Sequence, residues 1–564
     1  MRFPACLRLA ATLALSGPAL AQPAQTPAAP AAPASEAPQS PPKLLVVISV
    51  DQFSTDLFGA YRSAFTGGLA RLQQGVVFPN GYQGHAATET CPGHSTILTG
   101  SRPARTGIIG NDWIDQKIAR ADKTVYCAED PDVPGTSSRD YAPSVKMLRV
   151  PTLGGYMKAQ NPAAKVVSVS GKDRSAIMMG GPVVDQIWWW GGNGFTSYRG
   201  TPLTPLIEQV NAGVRKTFDQ PRPAMDVPAF CKANDRAVRL TDTLSVGDGH
   251  FARAGGDVRA FRTSPEADAA VLALAVKQLE AQQLGRGDTT DLLIVGLSAT
   301  DYIGHSYGNR GAEMCIQMFA LDDALASFLD RLDATGLDYM VMLTADHGGP
   351  DIPERLREQA VTDAERADPA LYPSALSAAI SARTGITVPQ GNLLLGTNPF
   401  GDIYVNAALT AAQRTRVIAE AKAFYAAHRQ VEAVFTRKDI EAAPAPTGSP
   451  ESWSLATIAK ASYDPERSGD LVLLLKPRIM PIATPAPGYV STHGSPWGYD
   501  RRVPMLFWRK GLMHMEQPQA VETVDILPTL AAQIGVTVPA DRIDGRCLDL
   551  DPGPATRCPA PQDR

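Results

Sequence analysis

KLLVVISVDQF, residues 43–53, holds an unbroken apolar run that stops at an aspartate, Asp51. A Val/Ile-rich run without polar alternation is the mark of a strand covered on both faces, as in parallel sheets. The pattern returns in DLLIVGLSATDYIGH (291–305) and DYMVMLTADHGG (338–349). Each run ends at metal-seeking side chains: Asp301 and His305 after the second, Asp346 and His347 after the third. Open α/β sheets bind ligands outside the carboxyl ends of their strands. Three carboxylates and three imidazoles gathered there, with His493 from a Gly-flanked loop, suit two divalent cations. A strand-ending Asp or a lone Asp-His pair is by itself more often a turn or cap residue; joint placement after apolar strands makes the metal reading the better one.

Outward from these strands, helices are expected over 64–75, 265–283 and 312–334, with further buried strands in AKVVSVS (164–170) and DLVLLLK (470–476). A closing helix in ETVDILPTLAAQIG should stop at Gly535. Alternating strands and helices predict an α/β fold, a mostly parallel, doubly wound central sheet flanked by helices. Residues 43–550 read as one catalytic domain and 551–564 as a tail. From about 180 to 285, WWWGGNGFTSY and QPRPAMDVPAF lack clear periodicity, so an inserted cap is expected there. The cluster Trp188–Trp190 reads as core or lid packing.

Residues 1–21 have the form of a secretory signal peptide: Arg2 and Arg8, then LAATLALSGPAL, then Ala19-Leu20-Ala21. The apolar part is short for a bilayer span, so no stable membrane insertion is expected. Residues 22–42 form a Pro/Ala-rich linker. A periplasmic or secreted location follows. Net charge is −4, with no basic surface to suggest a nucleic-acid partner. Loss of Cys6 with the leader leaves an even six cysteines, which permits disulfides in an exported chain. Spacing does not choose the pairing; Cys547 with Cys558 is the most local option, and Cys91 with Cys127 would tie down the segment beside Thr90.

Thr90 is the candidate nucleophile. It precedes Cys91-Pro92 where a short helix should start, and a helix N-terminus favours phosphate and alkoxide. A threonine at such a place is commonly only an N-cap. Thr88 is the rival, two residues farther from the helix. Asn111 offers an amide donor. Lys172 and Arg174, alternating in an extended GKDR segment, would present two cations to one site, with Asp173 pointing elsewhere or orienting them. His85 and His94 lie near Thr90 and are read as structural or as supporting the ligands from behind.

TETCPGHSTILTG, GND, SGKDR, TDYIGH, TADHGG and THGS follow one another in this order. In these motifs the chain resembles the alkaline phosphatase superfamily, specifically the secreted bacterial alkaline phosphatases with a threonine nucleophile, the PafA/PhoK type. Threonine-x-proline at the helix start also resembles the nucleotide pyrophosphatase/phosphodiesterase branch. The resemblance implies two Zn²⁺ per subunit: one held by Asp301, His305 and His493, the other by Asp51, Asp346, His347 and Thr90. It implies a phospho-threonine intermediate on Thr90, substrate binding by Asn111, Lys172 and Arg174, and activity at alkaline pH. The paired cations suit a dianionic monoester better than a diester, so small phosphate monoesters are the expected substrates and a monomer is the expected state. The sulfatase pattern Cys-x-Pro-x-Arg does not fit Cys91-Pro92-Gly93. A metal-binding sensor without catalysis would leave Thr90 and the cations without purpose.

Overall fold

The computed structural model describes residues 40–553 and 556–559. The expected signal peptide, residues 1–21, and nearly all of the expected linker, residues 22–42, lie outside the described residues. At the centre is a ten-stranded mixed sheet. Its middle is parallel: Tyr339–Thr344, Leu44–Val50, Asp291–Leu297, Val166–Ser170 and Gln186–Trp190 lie side by side in that order. Leu44–Val50 is buried along its whole length, as its uniform apolar sequence requires.

Side chains alternate across this strand. Leu44, Val46, Ile48 and Val50 pack in one core layer with Leu69, Leu325 and Leu329. Leu45 and Val47 pack in the other, with Ile97, Leu98, Leu527 and Leu530. The helices Pro265–Ala281 and Ala312–Asp333 cover the first face, and Thr90–Thr99 and Ile526–Ile534 the second. Each fully buried Leu, Ile or Val contributes about 1.5–3 kcal/mol over its exposed state, so both faces must be covered. This is the doubly wound arrangement expected.

The edges differ from expectation. Arg502–Arg509 runs antiparallel beside Tyr339–Thr344, and Val76–Tyr82 antiparallel beside it, which makes the sheet mixed. Pro504 lies inside the Arg502–Arg509 strand, and the register shifts between Val503 and Met505, a bulge that accommodates the missing N–H. The Trp-rich stretch expected to open a cap belongs to the main sheet instead: Gln186–Trp190 adds a parallel strand and Phe195–Thr196 an antiparallel one. Trp188 and Trp189 are buried.

DLVLLLK does not join this sheet. Leu471–Leu475 lies in a separate four-stranded antiparallel sheet with Leu394–Leu395, Gly401–Val405 and Val431–Thr436, which has its own core. A fully apolar strand is equally at home there, so composition does not tell the two sheets apart. The helix expected over 64–75 is confined to Gly68–Leu72, and Thr55–Tyr61 forms another. Disulfides join Cys91 to Cys127, Cys231 to Cys315 and Cys547 to Cys558. Among the described residues no helix is long and apolar enough to cross a membrane.

Candidate active site

Strand register assembles the acidic residues. Val50 is level with Leu297, and Ser49 with Thr344, so Asp51 and Asp346 leave neighbouring strands at the same height. Gln52 N–H donates to Asp346 Oδ1 at 3.1 Å. Gln52 reaches this position with φ of 67°, a left-handed conformation that costs a non-glycine residue about 1 kcal/mol or more. Asp301 and His305 lie on the helix Ala299–Tyr307. Four residues apart on a helix, they share one face.

Two groups of ligand atoms result. Asp301 Oδ1 is 3.2 Å from His305 Nε2 and 3.4 Å from His493 Nε2. His347 Nε2 is 3.4 Å from Asp51 Oδ1 and 3.3 Å from Asp346 Oδ2. Metal–ligand bonds of about 2.0–2.2 Å in a tetrahedron put neighbouring donors about 3.3–3.6 Å apart, close to these separations. Asp51 Oδ1 and His347 Nε2 are buried and take no hydrogen bond among the described residues. Orphaned acceptors of this kind fit a cation. The stacked His347 and His493 rings, 3.6 Å between centroids, join the two groups.

The imidazoles are held in one tautomer. Each Nδ1 meets a backbone carbonyl: Ser491 for His305 at 2.7 Å, Gly348 for His347 at 2.8 Å, Thr88 for His493 at 2.8 Å. A carbonyl only accepts, so Nδ1 carries the proton and Nε2 turns its lone pair to the cluster, the usual support of a metal-binding histidine. Burial is the main reason that His347 is pushed down to about 3, which keeps it neutral. Burial, then the Asp301 and Asp346 carboxylates, raises Asp51 above the usual range. Burial opposes ionisation of Asp301 as well, but His305 and Lys172 outweigh it and hold that carboxyl well below the usual range.

Thr90 is the first residue of its helix, and Glu89 occupies the N-cap place, so capping does not account for Thr90. Gly93 lets this helix approach the Asp346 backbone: a Cβ there would lie 2.0 Å from the Asp346 carbonyl oxygen. The Thr88 hydroxyl donates to the Ser495 carbonyl at 2.8 Å. Arg174 Nη2 lies 3.4 Å from Thr90 Oγ1. Lys172 Nζ sits 2.6 Å from Asp51 Oδ2 and 2.5 Å from Asp301 Oδ2. Both cations reach the centre, but the segment is extended only as far as Lys172, which occupies the N-cap place without a side-chain cap bond; Arg174 lies in the first turn of the helix Asp173–Gly180. Asn111 Oδ1 accepts the Cys91 N–H at 2.8 Å. His94 is closer to the chemistry than its sequence position suggested. Its Nδ1 meets the Thr90 carbonyl at 2.9 Å and lies 3.0 Å from Asp346 Oδ2; with Asp51 and Asp346 it makes one tight cluster of ligand atoms among the described residues, and Asp301, His347 and His493 make the other. Its place one turn beyond Thr90 was the available signal. His85 is buried away from these groups, and burial lowers it to about 3.

A mixed α/β sheet with these two ligand groups at the carboxyl ends of its strands defines a hydrolase of the alkaline phosphatase superfamily. The chain belongs to the type I phosphodiesterase / nucleotide pyrophosphatase family, whose model matches residues 45–496. It is 57% identical over 521 residues to alkaline phosphatase PhoK of a Sphingomonas species, covering 92% of this chain and 93% of that one. It is 48% identical to alkaline phosphatase PhoD of Zymomonas mobilis, covering 92% and 89%. The crystal structure of wild-type alkaline phosphatase PafA has the same fold: TM-score 0.77 at 24% identity, over 90% of this chain and 98% of that one.

Proposed function

We propose that the protein is an exported alkaline phosphatase that hydrolyses small phosphate monoesters to alcohol and phosphate through a phospho-threonine at Thr90. The observation that carries the reading is the buried Thr90 hydroxyl beside Arg174 and the two carboxylate–imidazole groups. The relatives PhoK and PhoD are named alkaline phosphatases, which supports it.

Asp301, His305 and His493 would hold one zinc ion, and Asp51, Asp346, His347 and Thr90 the other. When bound, the two ions supply Lewis acidity that eases deprotonation of a hydroxyl or water and neutralises charge on the departing oxygen. The donor set of imidazole and carboxylate fits zinc. His94 is read as holding Asp346 rather than a metal, because the nitrogen that faces Asp346 is Nδ1, which donates to the Thr90 carbonyl and so offers no lone pair on that side.

The chain's own groups do the rest. Thr90 Oγ attacks phosphorus in line with the ester bond, forming a new O–P bond as the alcohol's O–P bond breaks. Arg174 and Lys172 meet the nonbridging oxygens, and the Asn111 NH₂ donates to a third. A dianionic monoester makes fuller use of two cations than a monoanionic diester. Water entering from the side the alcohol has left then cleaves the phospho-threonine and frees phosphate. The helix N-terminus below Thr90 favours the anion throughout.

Domain limits of 43–550 with a tail at 551–564, a leader over residues 1–21, export and a monomeric state belong to the same reading. The test is monoester against diester turnover in one zinc-loaded preparation. Monoester kcat/KM should exceed diester kcat/KM by at least about 10²-fold, the scale of lost charge-assisted contacts. Diester preference would instead assign the chain a phosphodiesterase role.

A further inference from the structure

Asp173 stands between Lys172 and Arg174 and has no task in the reaction proposed above. Its carboxylate is nonetheless tightly held. Tyr126 Oη donates to Oδ1 at 2.9 Å, and Tyr141 Oη donates to Oδ2 at 2.6 Å. The two rings pack with centroids 4.5 Å apart, and Asp173 is 8% exposed. Both donors are hydroxyls, and the Asp173 carboxylate lies close enough to act electrostatically on the neighbouring Arg174 guanidinium, after Tyr126 and Tyr302.

Tyr126 is itself anchored to the nucleophile. The next residue, Cys127, is disulfide-bonded to Cys91, which follows Thr90. Cys127 N–H donates to the Asn111 carbonyl at 2.9 Å, and Asn111 Oδ1 accepts the Cys91 N–H. A closed circuit therefore runs from Thr90 through the disulfide to Tyr126, across to Asp173, and through Arg174 back to Thr90 Oγ1. Asn111 lies inside it.

The geometry points to Asp173, clamped by Tyr126 and Tyr141, as the positioning residue that aims Arg174 at the phosphoryl group on Thr90. The inference rests on the phosphate-binding role given to Arg174 in the proposed function. Asp173 is the first residue of the helix Asp173–Gly180 and Arg174 the second, so fixing one carboxylate sets the rotation of that first turn. A guanidinium meets phosphate through a rigid fork and tolerates little misdirection. Misplacement on the order of 1 Å is enough to cost about 10²-fold in rate.

The test is a double-mutant cycle on the full-length enzyme isolated with its metals, with p-nitrophenyl phosphate as substrate and inorganic phosphate as inhibitor. Tyr126→Phe with Tyr141→Phe removes only two hydroxyls. It should lower kcat/KM about 10-fold and weaken phosphate inhibition by a similar factor. In an Arg174→Ala background the same pair should change kcat/KM by less than about 2-fold, because its effect passes through Arg174. Asp173→Asn, which still accepts from a tyrosine, should retain more activity than Asp173→Ala. An equal loss in both backgrounds, or none in either, overturns the positioning role. Should the double variant fail to fold, Tyr126→Phe alone carries the same cycle with a loss of about 3-fold. Arg174→Ala with unchanged turnover would overturn the phosphate-grip reading itself, a result distinct from a crippled Arg174→Ala enzyme beside unaffected tyrosine variants.

Discussion

Lys172 Nζ and Asp51 Oδ2 form an ion pair 2.6 Å long, with side chains 1% and 0% exposed, and Asp301 shares the same ammonium. One lysine thus neutralises a carboxylate from each ligand group. Removing one member of a buried pair leaves an uncompensated charge and costs about 3–5 kcal/mol. Lys172→Ala should destabilise the chelator-treated protein by that amount in urea unfolding, and also lower monoester turnover. A loss under about 1 kcal/mol would mean that the pair does not form in solution.

Thr90→Ala should lower monoester kcat by at least about 10³-fold, since the proposed chemistry has no second nucleophile within reach. Thr90→Ser should keep measurable turnover, because it keeps the hydroxyl. Acid quenching during turnover followed by mass spectrometry should locate the phosphoryl group on residue 90 in the wild type and in Thr90→Ser. Full activity in Thr90→Ala would refute the assignment.

His347 and His94 compete for the place beside Asp346, and metal content separates them. The wild type should carry about two zinc ions per chain, a two-metal site of the usual kind. His347→Ala should carry about one under the same dialysis. His94→Ala should still carry about two, with reduced turnover, because its Nδ1 holds Asp346 and the Thr90 carbonyl. Elemental analysis of the purified variants reads this directly, and the opposite order would exchange their roles.

Burial raises the Asp500 carboxyl to about 7, although Ser495 bonds to it through N–H at 2.8 Å and Oγ at 2.6 Å. An acid whose folded pKa exceeds its unfolded value binds its proton more tightly when folded. Its contribution is complete below the unfolded pKa of about 3.9 and is lost as pH rises through about 7. Asp500→Asn, which does not ionise, should therefore lose less stability than the wild type between pH 6 and 9. Thermal melting across that range checks the sign; parallel curves would place the Asp500 pKa outside the window.

Much of the centre was legible from residue order. Asp51, Asp301 and Asp346 were recognisable because each follows an apolar run that has to be a buried strand. The helical setting of Asp301 and His305 was not, since TDYIGH carries no strong start signal and Ser298 makes no side-chain cap. The nearness of His94 to Asp346 was also hidden, because it depends on how closely Gly93 lets two elements approach. The second sheet escaped notice because its strands are short and, apart from Leu394–Leu395 with Gly401–Val405, they pair across tens of residues of intervening chain.

Sequence alone determined the central buried strands at 44–50, 291–297 and 339–344, and that ionisable groups stand at their ends, because hydrophobic periodicity is a local property of the chain. Only the tertiary structure decided which imidazole faces which carboxylate, that Lys172 lies between Asp51 and Asp301, and that Tyr126 and Tyr141 hold Asp173. Those pairings depend on strand register, helix aim and backbone carbonyls supplied by distant loops. None of these leaves a periodic trace, because each is set by where separate elements come to rest against one another.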